Sequence, residues 1–417
     1  MQVKIEQSCP ACGAAIELSE DDRLIKCQFC NVNNYRANES GSSFVLPYNI
    51  PEGIAEEQML FVPYLRFKGL IYYVQGLQVL HKIVDTTRIA FSSENSCFPV
   101  SLGLRPQTLK LKPVVATVKG KYFRQTVPTR DAFVHATNVL DLFNKHQSDK
   151  VYHRAFIGET VSRIYQPYFI KNDCLFDAVL TRMICKLSML DQLNGKNFKK
   201  RRVVEPQFIS TMCPACGGLL DGESDSVVLH CSNCSSHWRE EKGKFSEVDL
   251  SVAGAVVRDA ELLPFWKVEF AVKELGIESF GDYIRFTNQP VVLSHHYDSR
   301  PLFFLVPAFK MNPKAFLQVA SQLTVSQLRL SETKAPRSLK GYPVTLKQGE
   351  AVQMIKSIIA ATTISREKKF PLLPALTAND PKISLTYIPF VKKSHDFVQL
   401  DTSAAIQTAA LKYGRSL

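Results

Sequence analysis

The chain of 417 residues is long enough for two to four domains with hydrophobic cores, and its 45% hydrophobic and 22% charged residues exclude a largely disordered protein. No apolar run approaches the roughly 18 residues that a transmembrane helix needs, so we expect no membrane span. The formal net charge of +12 permits an acidic partner, but the distribution of charge is more informative than its total.

The charge alternates along the chain. Residues 1–100 carry a net charge of −3, residues 101–200 of +10, residues 201–300 of −5 and residues 301–417 of +10. The two acidic blocks are also the ones that contain paired cysteines. The alternation predicts that any positively charged surface lies on the segments after the paired cysteines and not on the cysteine-rich stretches themselves.

The first element along the chain is a four-cysteine stretch that returns 204 residues later. Each copy has the spacing C-x2-C-x14-C-x2-C and begins Cys-Pro-Ala-Cys-Gly. In this spacing each C-x2-C pair forms a tight turn that points two thiolates at one ion, and four thiolates bind Zn²⁺ as a closed tetrahedron. We therefore predict two zinc ions per chain, held by Cys9, Cys12, Cys27 and Cys30 and by Cys213, Cys216, Cys231 and Cys234.

Both stretches resemble the zinc-ribbon family with its rubredoxin-like knuckles, over about 30 residues in each copy. The resemblance implies a small β-module around a structural metal ion. One departure is that Asn31 and Ser235 stand where the second knuckle often has glycine. Asparagine adopts a left-handed backbone more readily than serine does, so the departure bears more on the second copy.

Other chemistry for the eight cysteines stays open at this stage. Two disulfides per copy fit a secreted protein, but the N-terminal residues lack the pattern of a secretion signal, and we expect a cytoplasmic protein. A rubredoxin-type iron site uses the same four thiolates as zinc. A catalytic zinc needs an open position, and a full set of four cysteines leaves none. His230 and His237 flank the second site, so an exchange of ligands stays open there, although both are interpreted as surface residues of the ribbon. The other cysteines, Cys97, Cys174 and Cys185, lie in apolar surroundings and are expected to be buried.

The segment after the first ribbon predicts a mixed body. Strands are expected over residues 112–118, 121–127 and 152–170, the last interrupted at Pro167, with a helix over residues 129–146. Residues 194–202 are polar and basic and indicate a boundary. After the second ribbon, residues 262–267 align with residues 61–66, so the repeat continues beyond the ribbons.

The second body has clearer helix signals. Residues 312–323 are predicted as a helix with Asn312 as N-cap and Pro313 in its first turn, and residues 350–361 and 403–413 as two more. Five proline-containing pieces indicate a recurrent device at strand edges, where proline is tolerated. Their prolines are Pro63, Pro167, Pro264, Pro307 and Pro389.

The resulting fold class is α+β and β-rich, with two tandem halves, each a small four-cysteine zinc ribbon followed by a mixed β-sheet body with a few helices. The predicted domains are ribbon one (1–36), a basic body (44–193), a basic linker (194–207), ribbon two (208–240) and a second basic body (250–417). Residues 101–112 and 156–169 look similar to parts of uncharacterised bacterial tandem-ribbon proteins, a likeness that implies no activity.

No catalytic constellation is recognisable. The phosphate-binding pattern G-x-x-x-x-G-K-[ST], a G-x-G-x-x-G after a strand and the nucleophile pattern G-x-S-x-G are all missing from the sequence. The densest histidine cluster, residues 295–298, is interpreted as a polar turn between strands. We therefore expect a non-enzymatic protein.

The expected role is an interaction or scaffold module whose partner is another protein. The alternative is nucleic-acid binding through the basic bodies and a cluster of cations placed for phosphate contact. These cations are Lys196, Lys199, Lys200, Arg201 and Arg202. Few aromatic residues suited to base stacking surround them, and the ribbons are acidic, so a protein partner is favoured.

Overall fold

The computed structural model describes residues 3–37, 43–91, 97–115, 118–142, 149–189, 198–199, 207–254, 259–272, 275–327, 332–334, 341–377 and 380–415. Strands account for 42% and helices for 21% of the structure, and the sheets are mixed. The prediction of a β-rich α+β protein is therefore confirmed.

The first half of the chain is mostly strand. Its helices and strands are, in chain order, β1 (Lys4–Ser8), β2 (Ala15–Ser19), β3 (Leu24–Lys26), β4 (Asn33–Ala37), β5 (Ser43–Val45), β6 (Leu60–Gln75), β7 (Gln78–Ile89), α1 (Arg105–Thr108), β8 (Lys112–Pro113), β9 (Lys121–Phe123), α2 (Asp131–Leu142), β10 (Val151–Lys171), β11 (Cys174–Asp177), β12 (Arg182–Lys186), β13 (Phe198–Lys199) and β14 (Gln207–Ser210).

The second half contains the longer helices. Its helices and strands are β15 (Leu220–Asp221), β16 (Val228–Cys231), β17 (His237–Glu241), β18 (Lys244–Glu247), β19 (Leu250–Ala253), β20 (Ala260–Glu269), α3 (Phe280–Thr287), β21 (Phe303–Pro307), α4 (Pro313–Ser326), β22 (Glu332–Lys334), α5 (Gln348–Thr362), α6 (Arg366–Lys369), β23 (Lys382–Lys393), β24 (Asp396–Val398), β25 (Ala405–Gln407) and α7 (Thr408–Gly414).

The chain forms two compact units. Unit one comprises Met1–Lys68, Val84–Asn144 and Glu159–Ser210, and unit two comprises Gly69–Ile83, Lys145–Gly158 and Thr211–Leu417. Unit two therefore contains the second ribbon and body together with the ends of three strands from the first half, β6, β7 and β10.

Unit one is built on a sheet in the order β12-β11-β10-β6-β9-β13, and β5 joins β10 in parallel. Strand β6 is buried along almost its whole length, which explains why its sequence does not alternate and is mostly apolar apart from Arg66, Lys68 and Gln75. Its core includes Tyr64, Phe123, Ile164 and Tyr168. The first ribbon adds two hairpins, β1–β2 and β3–β4, and β14 extends the second hairpin by pairing with β4.

Unit two has a sheet in the order β21-β20-β23-β19-β22, with α4 and α5 packed against it. The helix α4 begins where predicted, because the Asn312 side chain accepts hydrogen bonds from the backbone N–H groups of Lys314 and Ala315. The strand ends from the first half are tied to these helices. The Tyr72 hydroxyl donates to the Pro313 carbonyl at 2.7 Å, inside an apolar core that includes Trp266.

The two bodies repeat one hydrogen-bonding pattern. The Ala90 N–H donates to the Pro63 carbonyl at 2.8 Å, and the Ala308 N–H donates to the Pro264 carbonyl at 2.9 Å. The carbonyl of each alanine then accepts from two successive residues further along, 126 and 127 in the first body and 345 and 346 in the second. A parallel strand pair also recurs, β5 with β10 and β19 with β23, at matching register.

Pro307 lies in β21, the outermost strand in the described order of its sheet, as the edge prediction requires, whereas Pro63, Pro167 and Pro264 lie at local edges. Strands β6, β10 and β20 each have neighbours on both sides, so Pro63, Pro167 and Pro264 are on interior strands. The carbonyl of each of these prolines accepts from the residue just after a neighbouring strand has ended, at positions 90, 178 and 308. The side of each proline that lacks an N–H donor therefore faces the point where the hydrogen bonds to that neighbouring strand end. No hydrogen bond between the strands is lost there.

Other local predictions need adjustment. The interruption predicted at Pro167 is absent, since β10 runs unbroken from Val151 to Lys171. The strands predicted over residues 112–118 and 121–127 are shorter, as β8 and β9. The helices predicted over residues 129–146 and 350–361 correspond to α2 and α5, and the one predicted over 403–413 is split into β25 and α7.

Candidate metal centres

The backbone of ribbon one forms two knuckles, and each closes on a left-handed residue. In the first knuckle the Gly13 N–H donates to the Cys9 carbonyl at 2.9 Å, and Gly13 has φ +74°. In the second, the Asn31 N–H donates to the Cys27 carbonyl at 3.0 Å, and Asn31 has φ +58°. Each turn reverses the chain, so that both cysteine side chains of a pair face the same point.

Ribbon two has the same two turns at positions 204 residues later. The Gly217 N–H donates to the Cys213 carbonyl at 2.9 Å, and the Ser235 N–H donates to the Cys231 carbonyl at 2.8 Å. The φ angles are +72° at Gly217 and +64° at Ser235. Asn31 and Ser235 therefore adopt the left-handed backbone for which glycine is usual, and the second knuckles keep their geometry without it.

The four sulfur atoms of each ribbon converge on one point. The Sγ–Sγ distances are 3.8 Å for Cys9–Cys30 and 3.7 Å for Cys12–Cys27. In ribbon two they are 3.6 Å for Cys213–Cys234 and 3.5 Å for Cys216–Cys231. Zinc–sulfur bonds of about 2.3 Å in a tetrahedron place sulfur atoms about 3.8 Å apart. Each set of four sulfur atoms, called a cradle below, therefore fits one four-thiolate zinc ion.

Local hydrogen bonds favour the thiolate form in at least one cysteine of each cradle. At Cys12 a backbone hydrogen bond from Ala14 also favours the thiolate, but burial and the neighbouring thiols outweigh it and raise the pKa to about 12, and burial raises the pKa of Cys231 to about 11. In ribbon one, backbone N–H groups of Cys30 and Phe29 lower the pKa of Cys27 to about 6. In ribbon two, burial opposes ionisation of Cys213, but the Ser236 hydroxyl and neighbouring backbone N–H groups outweigh burial and lower its pKa to about 6. Each cradle thus contains a thiol disposed to ionise near neutral pH.

The sulfur set is complete without histidine. Among the described residues, the groups of histidine, cysteine, aspartate and glutamate that are close enough to hold a metal ion are these two sets of four cysteines. His237 is half-buried, and its ring is hydrogen-bonded to the backbone of Ser235. Four thiolates form a closed set, which is the arrangement of a structural site and leaves no position for a substrate.

The acidic loop of ribbon one, residues 19–22, is bound to the body of unit one. Glu20 lies against the guanidinium of Arg66 in β6, with side-chain exposures of 4% and 1%. Asp21 forms an ion pair of 3.2 Å with Lys68, two residues further along β6. Arg66 also donates to Asp85 in β7 through two bonds of 2.8 and 2.7 Å. The ribbon is therefore fastened to the sheet by buried charges.

Ribbon two has a counterpart of this joint. Asp225, in the loop between its knuckles, pairs with Arg415 near the C-terminal end of α7, and Glu223 lies 3.7 Å from the same guanidinium. The loop also donates a backbone hydrogen bond of 2.8 Å from Val227 to Val344. Both ribbons therefore present their acidic loops to their own bodies.

This arrangement changes the interpretation of the ribbon acids. The acidic ribbon surfaces favoured either a structural role or a protein partner, and each of the eight acids in the two stretches has an intramolecular contact, which supports the structural role. Asp22 accepts from the backbone of Ser19, and the exposed Glu17 pairs with Lys4 and Lys110. The cations Arg66 and Arg415 were missed by the sequence analysis. The position of Arg66 within the mostly apolar run of β6 could have indicated a paired buried cation, whereas the surroundings of Arg415 give no such signal.

The remaining predicted residues give a mixed result. Lys196, Lys200, Arg201 and Arg202 lie outside the described residues, and Lys199 belongs to β13, whose backbone pairs with β9. The phosphate-contact prediction stays a prediction. Residues 295–298 contain a short 3-10 turn between α3 and β21, not between two strands.

Two of the three remaining cysteines touch. The Cys185 thiol is buried and contacts that of Cys97, and burial together with Cys97 raises the pKa of Cys185 to about 12. Cys97 and Cys174 are half-buried. The prediction of burial therefore holds for Cys185 and not for Cys97 and Cys174.

Comparison of the chain with protein-family models, with curated proteins and with solved structures finds no match. Within the part of the chain that the structure describes, no helix is both long and apolar enough to cross a membrane. What the chain shares with known chemistry is the zinc-ribbon-like geometry of its two four-cysteine clusters.

Proposed function

We propose that this protein is a non-enzymatic binding module that carries two structural zinc ions, one in each ribbon. The observation that carries the proposal is the match between two four-sulfur cradles and the dimensions of a tetrahedral zinc–thiolate site. A ribbon of about 30 residues buries too little apolar surface to fold alone, so the metal ion supplies the missing stabilisation.

The role of each zinc is to hold an acidic loop in position against its body. The loop lies between the two knuckles, so its ends are defined only while the cysteines are bound to one ion. The buried pair of Glu20 and Arg66 and the pair of Asp225 and Arg415 depend on that placement. The repeated ribbon geometry and the repeated pattern around Ala90 and Ala308 support a tandem duplication of the whole ribbon-and-body unit.

The exposed apolar side chains on the second knuckle of ribbon one support a protein partner. Phe29 is 69% exposed and Val32 is 43% exposed at the tip of this knuckle. Two exposed apolar side chains on one knuckle offer a partner an apolar surface, which the acidic loop does not. The ribbon acids, in contrast, are occupied within the chain and do not form a free acidic surface.

The metal part of the proposal is tested by elemental analysis and unfolding of the full chain purified without added metal. We expect two zinc ions per chain and a lower melting temperature after chelation. Iron in place of zinc, or an unchanged melting temperature after removal of the metal, would overturn it.

The binding part is tested by titrating DNA and RNA into the zinc-loaded chain at two salt concentrations. We expect no tight, salt-sensitive binding. Binding that weakens steeply with salt and is lost when Lys199, Lys200, Arg201 and Arg202 are changed to alanine would replace the proposal with nucleic-acid binding. In the protein-partner case, Phe29→Ser reduces partner binding and leaves the zinc content at two.

A further inference from the structure

The two cradles differ in the side chains that surround their sulfur atoms. In ribbon two, the Asn233 side-chain amide donates to Cys216 Sγ at 3.3 Å. The Ser236 hydroxyl lies 2.9 Å from Cys234 Sγ and 3.4 Å from Cys213 Sγ. The positions 204 residues earlier are Phe29 and Val32, whose side chains contain no hydrogen-bond donor.

The Ser236 hydroxyl is oriented to donate to sulfur. The indole Nε1–H of Trp238 donates to Ser236 Oγ at 2.7 Å, and an indole nitrogen cannot accept. The hydroxyl proton is therefore free for one of the two sulfurs beside it. Asn34 is the residue of ribbon one that corresponds to Trp238, so this support is also specific to ribbon two.

The Asn233 contact depends on a glycine. A Cβ atom at Gly218 would lie 3.0 Å from Asn233 Cβ and 3.2 and 3.3 Å from the Sγ atoms of Cys231 and Cys216. Ribbon one has Ala14 at this position and no amide to accommodate. Gly218 therefore leaves the space in which the amide of residue 233 approaches the metal ligands.

Donors to a metal-bound thiolate hold the ligand in orientation and disperse its negative charge. Loss of such outer partners usually costs about 10–100-fold in metal affinity. Solvent access acts in the opposite direction, because ribbon two has two exposed ligands, Cys216 and Cys234, whereas ribbon one has one, Cys12. Both sites are thus open to a competing chelator, and the donors to the ribbon-two sulfurs are expected to outweigh this difference.

We propose that the two zinc sites are unequal, with ribbon two as the tight site and ribbon one as the exchangeable site that releases its zinc first. This inference rests on the proposed function, since it requires zinc in both cradles. Asn233 and Ser236 are the residues that set the difference, and they act through the cysteines without binding the ion themselves.

The test is a competition between the full chain loaded with two zinc ions and a chromophoric zinc chelator. We expect two release steps of one equivalent each, separated by about 10–100-fold in chelator concentration. The double variant Asn233→Ala with Ser236→Ala moves the later step towards the earlier one. The matched control, Phe29→Ala with Val32→Ala, leaves both steps in place, because it removes no donor.

A grafting variant tests the same idea in the opposite direction. The variant Ala14→Gly with Phe29→Asn and Val32→Ser opens the space that the amide needs and introduces both donors into ribbon one. It is expected to shift the earlier step to higher chelator concentration, whereas circular dichroism stays unchanged. Release of both ions in a single step, or two steps that the Asn233 and Ser236 variant does not move, would overturn the inference and leave the proposed function intact. Fewer than two zinc ions at the start would instead contradict the proposed function.

Discussion

The Glu20 carboxylate of the first ribbon lies against the guanidinium of Arg66 in β6, and both side chains are almost completely excluded from solvent. Arg66 is also bound to Asp85, so one cation faces two carboxylates. A buried charge is tolerated only while its partners remain, because the cost of removing it from water is large. The joint between ribbon and sheet in unit one is therefore sensitive to the loss of either member.

Arg66→Met is expected to lower the free energy of unfolding of the zinc-loaded chain by about 3–5 kcal/mol, because it leaves Glu20 buried without a cation. Urea unfolding followed by circular dichroism measures the change. Adding Glu20→Gln to Arg66→Met is expected to recover part of the loss. The control is Lys4→Met, which breaks the exposed pair with Glu17 and should change stability by less than about 1 kcal/mol. Equal effects of Arg66→Met and Lys4→Met would show that the buried pair is not special.

Ser235→Gly is expected to stabilise ribbon two. Ser235 has φ +64°, a left-handed backbone that costs a residue with a Cβ about 1 kcal/mol and costs glycine almost nothing. The matched variant Asn31→Gly in ribbon one should gain less, because asparagine adopts this conformation more readily. Thermal unfolding of the zinc-loaded chain measures both changes. A lower melting temperature for Ser235→Gly would mean that the serine side chain contributes more than its backbone costs.

The four-cysteine sites were predictable from the sequence, whereas the ion pairs that join each ribbon to its body were not. Cysteine spacing encodes a local geometry, because both members of a pair lie within four residues and the turn between them has few forms. Arg66 and Arg415 lie 46 and 190 residues from the acids they bind. No local pattern in the sequence indicates such a distant pair, so the ion pairs emerged only with the tertiary structure.

The prolines show a similar limit. Proline within a strand indicates an edge, and the sequence cannot distinguish the edge of a sheet from the place where one neighbouring strand ends. Pro264 in β20 lies at the place where the neighbouring strand β21 ends, because its carbonyl accepts a hydrogen bond from the first N–H after β21. The helix α4, in contrast, was predictable because its N-cap and first-turn proline are adjacent in sequence.

Gly218→Ala is expected to weaken zinc binding in ribbon two alone. The added methyl group would approach Asn233 Cβ and two ligand sulfurs within 3.0 to 3.3 Å, which is closer than ordinary packing allows. Cobalt substitution, followed by the thiolate-to-metal absorption bands, reports on the geometry of each site. The reciprocal change, Ala14→Gly, removes a methyl group and should leave the bands of ribbon one unaltered. Unchanged cobalt bands and unchanged chelator resistance in Gly218→Ala would show that ribbon two accommodates the added methyl group without moving Asn233 or the ligand sulfurs.

His153 is expected to make the chain less stable as the pH falls. Its ring is mostly buried and hydrogen-bonded to the Gln353 carbonyl at 3.1 Å, and desolvation, reinforced by Lys356, lowers its pKa to about 4 from an ordinary value of 6.5. Above pH 6.5 the ring is neutral in the folded and unfolded chain alike. Below pH 6.5 the ring is protonated in the unfolded chain and stays neutral in the folded chain. The free energy of unfolding therefore decreases as the pH falls from 6.5 to about 4.

The loss in free energy of unfolding follows from the pH range between the two pKa values of His153. Each pH unit between 6.5 and about 4 costs about 1.4 kcal/mol, so the loss at about pH 5 is roughly 2 kcal/mol relative to about pH 7.5. His153→Gln keeps a side chain that can donate to Gln353 and removes the titration. The measurement is the difference in free energy of unfolding between the native chain and this variant at both pH values, in which effects on the zinc thiolates cancel. A difference that stays constant between the two pH values would show that the His153 ring is protonated in the folded chain.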